Sequence, residues 1–384
     1  MNSNLPTSKR LPVRLSDAEI EEVGRDLDTI QHEIKASLGE RDRHYLLRII
    51  ALQRRLALAS RLVIFASLAF LPRWGHVASG WLPFFVVIGL GTIGLGIAKI
   101  LENMEIGHNV MHGQWDWMHD PEINSTTWEW DTVCPSDQWK HSHNVIHHTW
   151  TNVIGRDRDI GYEIMRVTPE QRWHPVYLLQ PIFNVLLALL FEWGVAFHDL
   201  DIHGMRGRGK LLPEDRRVLL GIGKKVGRQV MKDYVLWPLF AGPLFFWVLG
   251  ANAVANLIRN VWAYMIIFCG HFPAGVHVFT EAQIEGETRG RWYVRQLLGS
   301  CNIEGGKLFH LMSGNLSHQI EHHLFPDMPS HRYPEAAPRV RALCARYGIP
   351  YNSGSLTRQF GTTTGKILRL AFPTRNHAVT TVVG

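Results

Sequence analysis

The chain has 384 residues, a net charge of +6, four cysteines and twenty-one histidines. Cys134, Cys269, Cys301 and Cys344 lie far apart and form no CxxC pair, which excludes a disulfide framework or zinc ribbon and fits a reducing compartment. Mean hydropathy is near zero, yet the apolar residues are gathered into blocks flanked by Lys and Arg, a balance that suits the cytoplasmic face of a membrane and not nucleic acid.

Residues 1–15 read as a basic arm, without the early apolar core of a signal peptide. Ser16 and Glu19 have capping-box spacing and open an amphipathic helix from Asp17 to about Lys35. Residues 1–50 thus form a cytosolic arm. A second helix from about Asp42 passes Arg54, Arg55 and Arg61 into an apolar block ending at Leu71. A turn around Pro72–Gly80 leads to the next block, Trp81 to about Leu101. Each block approaches the ~20 residues of a span, and the short turn makes them a hairpin, with Gly89, Gly91, Gly94 and Gly96 allowing close contact. Residues 102–175 are polar and aromatic; Trp115, Trp117, Trp128, Trp130 and Trp139 read as an interfacial belt or, in part, as lining of a substrate tunnel. A third block, Val176–Phe197, precedes a basic stretch, His203–Lys232. Tyr234–Gly270 is long enough for two short spans with a turn near Gly250–Asn252. Residues 51–345 form the membrane domain, and 346–384 a C-terminal cytosolic tail.

Three histidine clusters interrupt this pattern. In HNVMH, His108 and His112 share a helix face. In WKHSHNVIHHTWTN, His143 and His147 repeat the spacing, and His148 adds a third imidazole. In GNLSHQIEHHLFP, His322 and His323 are adjacent, and both His318/His322 and Gln319/His323 are i, i+4 pairs. This many imidazoles exceeds the demand of one structural zinc and suits two metal ions. No HExxH motif points to a carboxylate-bridged site. His141, Asn315 and Glu321 are candidates to orient ligands. If the clusters build one site, an even number of crossings separates His148 from His318. Pro181 and Glu192 interrupt Val176–Phe197, making it the interfacial helix and leaving four spans; the rival reading makes it a span and leaves Val261–Gly270 at the interface.

From HNVMHG to HQIEHHLFP the sequence resembles the integral-membrane fatty acyl desaturases, over about residues 50–340. GRDRDIGYE, with Asp157 and Asp159, looks like the acidic follow-on to the second box, and FCGHFP sets His271 where that family has a ligand outside the boxes. The resemblance implies an all-α membrane fold of four spans in two hairpins with a cytosolic histidine-box cap. It implies two irons held by His108, His112, His143, His147, His148, His271, His322 and His323, with Gln319 a weaker or water-mediated ninth position. The reaction would use O2 and two electrons to place a cis double bond in a long-chain acyl-CoA or acyl-lipid, at Δ9 of a stearoyl chain or elsewhere. Gln319 is typical of front-end members, which often carry a fused cytochrome b5; no HPGG motif is present. A separate ferredoxin, flavin reductase or cytochrome b5-like donor is therefore expected, in a bacterial cell membrane with the site facing the cytoplasm. The alternatives are a sister reaction, such as acyl or sphingolipid hydroxylation, and a membrane metal transporter.

Overall fold

The computed structural model describes residues 11–72, 80–198, 200, 205 and 207–374, almost all of them in helices and short connections. The start of the basic arm, most of the Pro72–Gly80 turn, His203, Arg206 and the last ten residues lie outside the described residues. Helix α1 (Asp17–Ala36) starts on the expected capping box, with the Ser16 hydroxyl accepting from the Glu19 amide at 3.3 Å and the Glu19 carboxylate accepting from the Ser16 amide at 2.7 Å. Helix α2 (Glu40–Ser67) carries both the arginines and the first apolar block.

Among the described residues two helices are long and apolar enough to cross a membrane: α3 (Leu82–Met111) and α8 (Gly242–His271), each of 30 residues. At 1.5 Å per residue each is about 45 Å long, against a hydrocarbon core of about 30 Å. Each is thus about 15 Å longer than a perpendicular crossing needs. Gly91 and Gly94 face α2, where an added Cβ would meet Ile64 and Ser60 at 2.8 and 2.4 Å; Gly96 faces Ile258 of α8 instead. The expected turn near Gly250–Asn252 is absent, since α8 runs straight through it. The chain breaks earlier, at Phe240–Leu244, where Gly242 adopts φ +54°. The third apolar block forms α5 (Gln180–Leu189) and α6 (Phe191–His198), bent by 103°. The bend falls at Leu190, between the two residues expected to interrupt the block; Pro181 sits harmlessly in the first turn of α5.

Helix α7 (Pro213–Gln229) continues through a π-helical Val230–Leu236 toward α8. Over the histidine ends lies a cap of α9 (Arg289–Gly299), α10 (Lys307–Met312), α11 (Gln319–Leu324), α12 (Tyr333–Tyr347) and α13 (Leu356–Leu370). The only sheet among the described residues pairs β1 (Asn302–Glu304) in parallel with β2 (Ser353–Ser355). Helix α1 belongs to this cap: Ile20, Leu27, Tyr293, Phe325 and Val340 share one core. Gly24 and Gly290 let α1 cross α9, because a Cβ on Gly290 would lie 2.4 Å from the Ile20 carbonyl. The segment read as a tail is packed as well: Ile367 of α13 joins Ile266 and Phe268 of α8 in a second core.

Candidate metal centre

His108, His143 and His147 lie on π-helical turns, Leu101–His108 within α3 and Lys140–His147 within α4 (residues 136–150), with His112 and His148 just beyond them. Such turns carry more than 3.6 residues and are frequent at functional sites. They alter the simple i, i+4 expectation. His108 and His112 do stay together, with ring centroids 4.6 Å apart. His143 and His147 stack at 5.0 Å, yet each also faces a different group. One group is His108, His112, His143 and His322; another is His147, His271 and His323; His148 shares a third with His322 and His323. Within each group the candidate ligand nitrogens all lie within 4.8 Å of one another.

Four of these imidazoles have a partner on the outer nitrogen, whereas His148 and His271 have none on Nδ1. His147 Nδ1 lies 3.1 Å from both Asp157 oxygens, His108 Nδ1 3.0 Å from Asn109 Oδ1, His322 Nδ1 3.2 Å from the Tyr333 hydroxyl, and His323 Nδ1 3.2 Å from Gln296 Oε1. The Nε2 atoms of His112, His143, His147, His148 and His322 are buried and have no protein partner. Buried polar atoms are rarely left so. Imidazoles oriented from outside with inner lone pairs free are what a metal site requires. Burial and the surrounding imidazoles hold His148, His322 and His323 well below the ordinary range, keeping them neutral and able to ligate. Burial also works against a charge on His147, but Asp157 and Asp159 outweigh it and raise that imidazole to about 9.

The remaining candidates separate. Gln319 joins the cluster, its Nε2 2.9 Å from His271 Nε2. His318 turns away and stacks on His310 at 4.6 Å. His141 is exposed. Asn315 donates to Glu105 at 3.0 Å, and Glu321 accepts from Asn302 and Tyr351, each at 2.8 Å, so neither touches a clustered imidazole. Sequence reasoning passed over His198, whose Nε2 lies 3.1 Å from Asp159, and the supporting Tyr333 and Gln296. The RDRD run was a signal for the two aspartates; nothing local marked the others. Trp115, Trp130 and Trp139 are buried and not a lipid-facing belt, and Trp139 stacks on His143 at 4.4 Å.

A cavity opens from His108, His143 and His271, passes Tyr162, Phe191 and Ile267, and reaches the buried Arg259–Glu192 ion pair at 2.5 Å. Arg259 precedes His271 by twelve residues, so the cavity follows α8 for about 18 Å. Apolar helices capped by a buried histidine centre able to hold metal, with a cavity running from that centre toward the membrane, define a membrane-associated oxidoreductase. Comparison with known proteins gives the family. The fatty acid desaturase model matches residues 79–355. The chain is 46% identical, over 94% of its length and 82% of the relative's, to the NADPH-dependent stearoyl-CoA 9-desaturase of Mycobacterium tuberculosis. It is 27% identical to the sn-1 linoleoyl-lipid 6-desaturase of Synechocystis, over 70% of this chain and 76% of that one. It is 24% identical to a mouse fatty acid desaturase 2-like protein, over 74% of this chain and 56% of that one. The chain belongs to the fatty acid desaturase family and is a fatty acyl desaturase.

Proposed function

We propose that this desaturase uses two non-haem irons and O2 to place a cis double bond at Δ9 of a long-chain acyl-CoA. One observation carries the metal assignment: buried imidazoles converge in sets, and five of them aim an Nε2 with no protein partner into the cluster. His108, His112, His143 and His322 would hold one iron; His147, His271 and His323 would hold the other; His148 would complete the pair, with Gln319 as a weaker ninth position beside His271. Candidate nitrogens within 4.8 Å of one another could reach a shared ion, and an imidazole set suits iron. Bound iron supplies the activation of O2 that removes hydrogen from an unactivated methylene pair. Asp157 and Asn109 fix which ring nitrogen of His147 and His108 faces the centre. Trp139, stacked on His143, shields the centre from water, and the cavity beneath orients the chain. The acyl-CoA carrier and the Δ9 position follow the mycobacterial relative's description. A separate protein delivers electrons.

In the membrane we assign four spans: the apolar half of α2, α3, the helix entering at Val230, and α8. The bent α5–α6 pair dips in and returns. In support, both its ends are tied to polar residues beside the cap: Gln180 Oε1 accepts from the buried Arg166 amide at 2.8 Å, and His198 meets Asp159. The clusters then share one face, which we assign as cytoplasmic because the basic stretch borders it.

Expression in a host of defined lipids, with iron and a ferredoxin reductase, tests the reading. Two irons per chain and new Δ9 monoenes are expected, located by mass spectrometry of the methyl esters. Iron-loaded, reducible protein that yields only hydroxylated chains, or no new product, would sink it.

A further inference from the structure

A cleft of about 800 Å³ lies on the cap behind the third histidine cluster and outside the metal centre. His310 and His318 line it as a stacked pair, with Tyr45 and Tyr351 on its walls and Lys307 and Arg341 exposed at its rim. Neither rim cation has an ion-pair partner among the described residues. An adjoining groove adds exposed Arg41 and Arg48. Leu308, 73% exposed, stands beside Lys307. None of these residues has a role in the centre described above.

Next to the cleft-lining Asn315 the packing is tight. Gly314, at φ +65°, packs so tightly on Met104 that a Cβ would lie 2.3 Å from its carbonyl. Beside it, Glu105 accepts from Tyr45 at 2.7 Å and from Asn315 at 3.0 Å. The cleft and the reaction cavity share no lining residue. The cleft is nonetheless well connected to the centre. The His322 amide donates to the His318 carbonyl at 2.9 Å, so one hydrogen bond joins a cleft-lining residue to a proposed ligand. His318 is also the sequence neighbour of Gln319, which contacts His271.

We infer that this cleft is the electron-entry port, where an acidic one-electron carrier protein docks on Lys307, Arg341, Arg41 and Arg48 and passes electrons through His318 to the centre. The inference rests on the di-iron reading. Each encounter oxidises the carrier's cofactor by one electron and reduces the centre by one. Two encounters, two protons from water and the two hydrogens of the methylene pair convert O2 to two waters and leave the alkene. His318 is a positioning residue in this scheme, since it touches neither substrate nor metal. Clustered cations of this kind speed association with an anionic partner in a salt-dependent way.

The test uses the detergent-solubilised full chain and an acidic [2Fe–2S] ferredoxin as the probe. In a Lys307→Glu/Arg341→Glu variant, the second-order rate of anaerobic reduction by ferredoxin at low salt should fall on the order of tenfold or more. Added salt should slow the natural protein toward the variant. Ferredoxin affinity for the iron-free chain should fall with it, while reduction by dithionite with viologen stays unchanged. His318→Ala should slow reduction at saturating ferredoxin without altering iron content or ferredoxin affinity. An unchanged ferredoxin rate in the charge-reversal variant overturns the proposal, as does loss of stearoyl-CoA binding with ferredoxin binding intact, or loss of iron from His318→Ala. Failure of the natural protein to hold iron or be reduced by dithionite refutes the metal reading itself.

Discussion

Asp157 shows how little of a metal centre its ligands alone determine. Its carboxylate meets His147 Nδ1 with both oxygens and also accepts from the Asn152 amide at 2.7 Å. The ring is thereby fixed with Nε2 inward. Asp157→Asn preserves size but removes the charge, and is expected to lower iron affinity or turnover by about 10- to 100-fold, read by iron analysis and product formation. His323→Ala removes a proposed ligand and should abolish turnover, with membrane insertion and the circular dichroism of the helices intact. Full activity in that variant would refute the assignment. At this scale much was legible: the boxes and His271 could be named from spacing and family resemblance. Spacing alone did not separate Gln319 from His318, because both have a helical i, i+4 partner; only the resemblance favoured Gln319. The non-helical backbone of His318 (ψ +56°) just before α11 is what separates them.

Among the elements, the cap is held to α2 by a charged clamp. Asp42, in the first turn of α2, accepts from Arg332 Nε at 2.7 Å, from His331 Nε2 at 2.6 Å and from the Gly39 amide at 3.0 Å. Burial favours the neutral acid, but the Arg332 and backbone hydrogen bonds outweigh it and hold the carboxyl down at about 2. An unfolded aspartate titrates near 3.9. The clamp therefore contributes its full stabilisation, about 2 kcal/mol, above pH ~4, and loses it as pH falls toward 2. Asp42→Asn should lower the melting temperature in detergent at pH 7 and flatten the acid limb of the stability profile. An unaltered acid limb would place the acid sensitivity elsewhere. The capping box of α1 was legible because its signal is local. The docking of α1 on α9 was not, since it depends on Gly24 meeting Gly290 far along the chain. The break before α8 was misplaced for a similar reason: Gly250 looks like a turn residue, but packing keeps that stretch helical while Gly242 takes the left-handed conformation.

For the whole molecule, charge inside the helix bundle sets the arrangement. Asp233 is fully buried and pairs with Lys99 of α3 at 2.6 Å and Arg61 of α2 at 3.0 Å, while its backbone carbonyl accepts from Asn252 of α8 at 2.7 Å. One residue thus ties together the helices that carry the first histidine cluster and His271. Hydropathy reading saw basic residues flanking apolar blocks, but could not see that Arg61 and Lys99 share an acid more than a hundred residues away. Removing one member of a buried pair strands the other charge and typically costs 3–5 kcal/mol. In Asp233→Leu both cations lose their nearest partner, Lys99 being left with Asp131 at 3.9 Å and Arg61 with Asn252 at 3.3 Å. The expected result is a large fall in detergent melting temperature, with iron loss following unfolding. Asp233→Leu combined with Lys99→Met removes one of those two charges and should recover part of that loss, whereas a surface replacement such as Leu220→Ala should move neither quantity. If Asp233→Leu melts like the natural protein, the three-helix tie does not hold the bundle, and the common orientation of α3 and α8 must come from their apolar contacts alone.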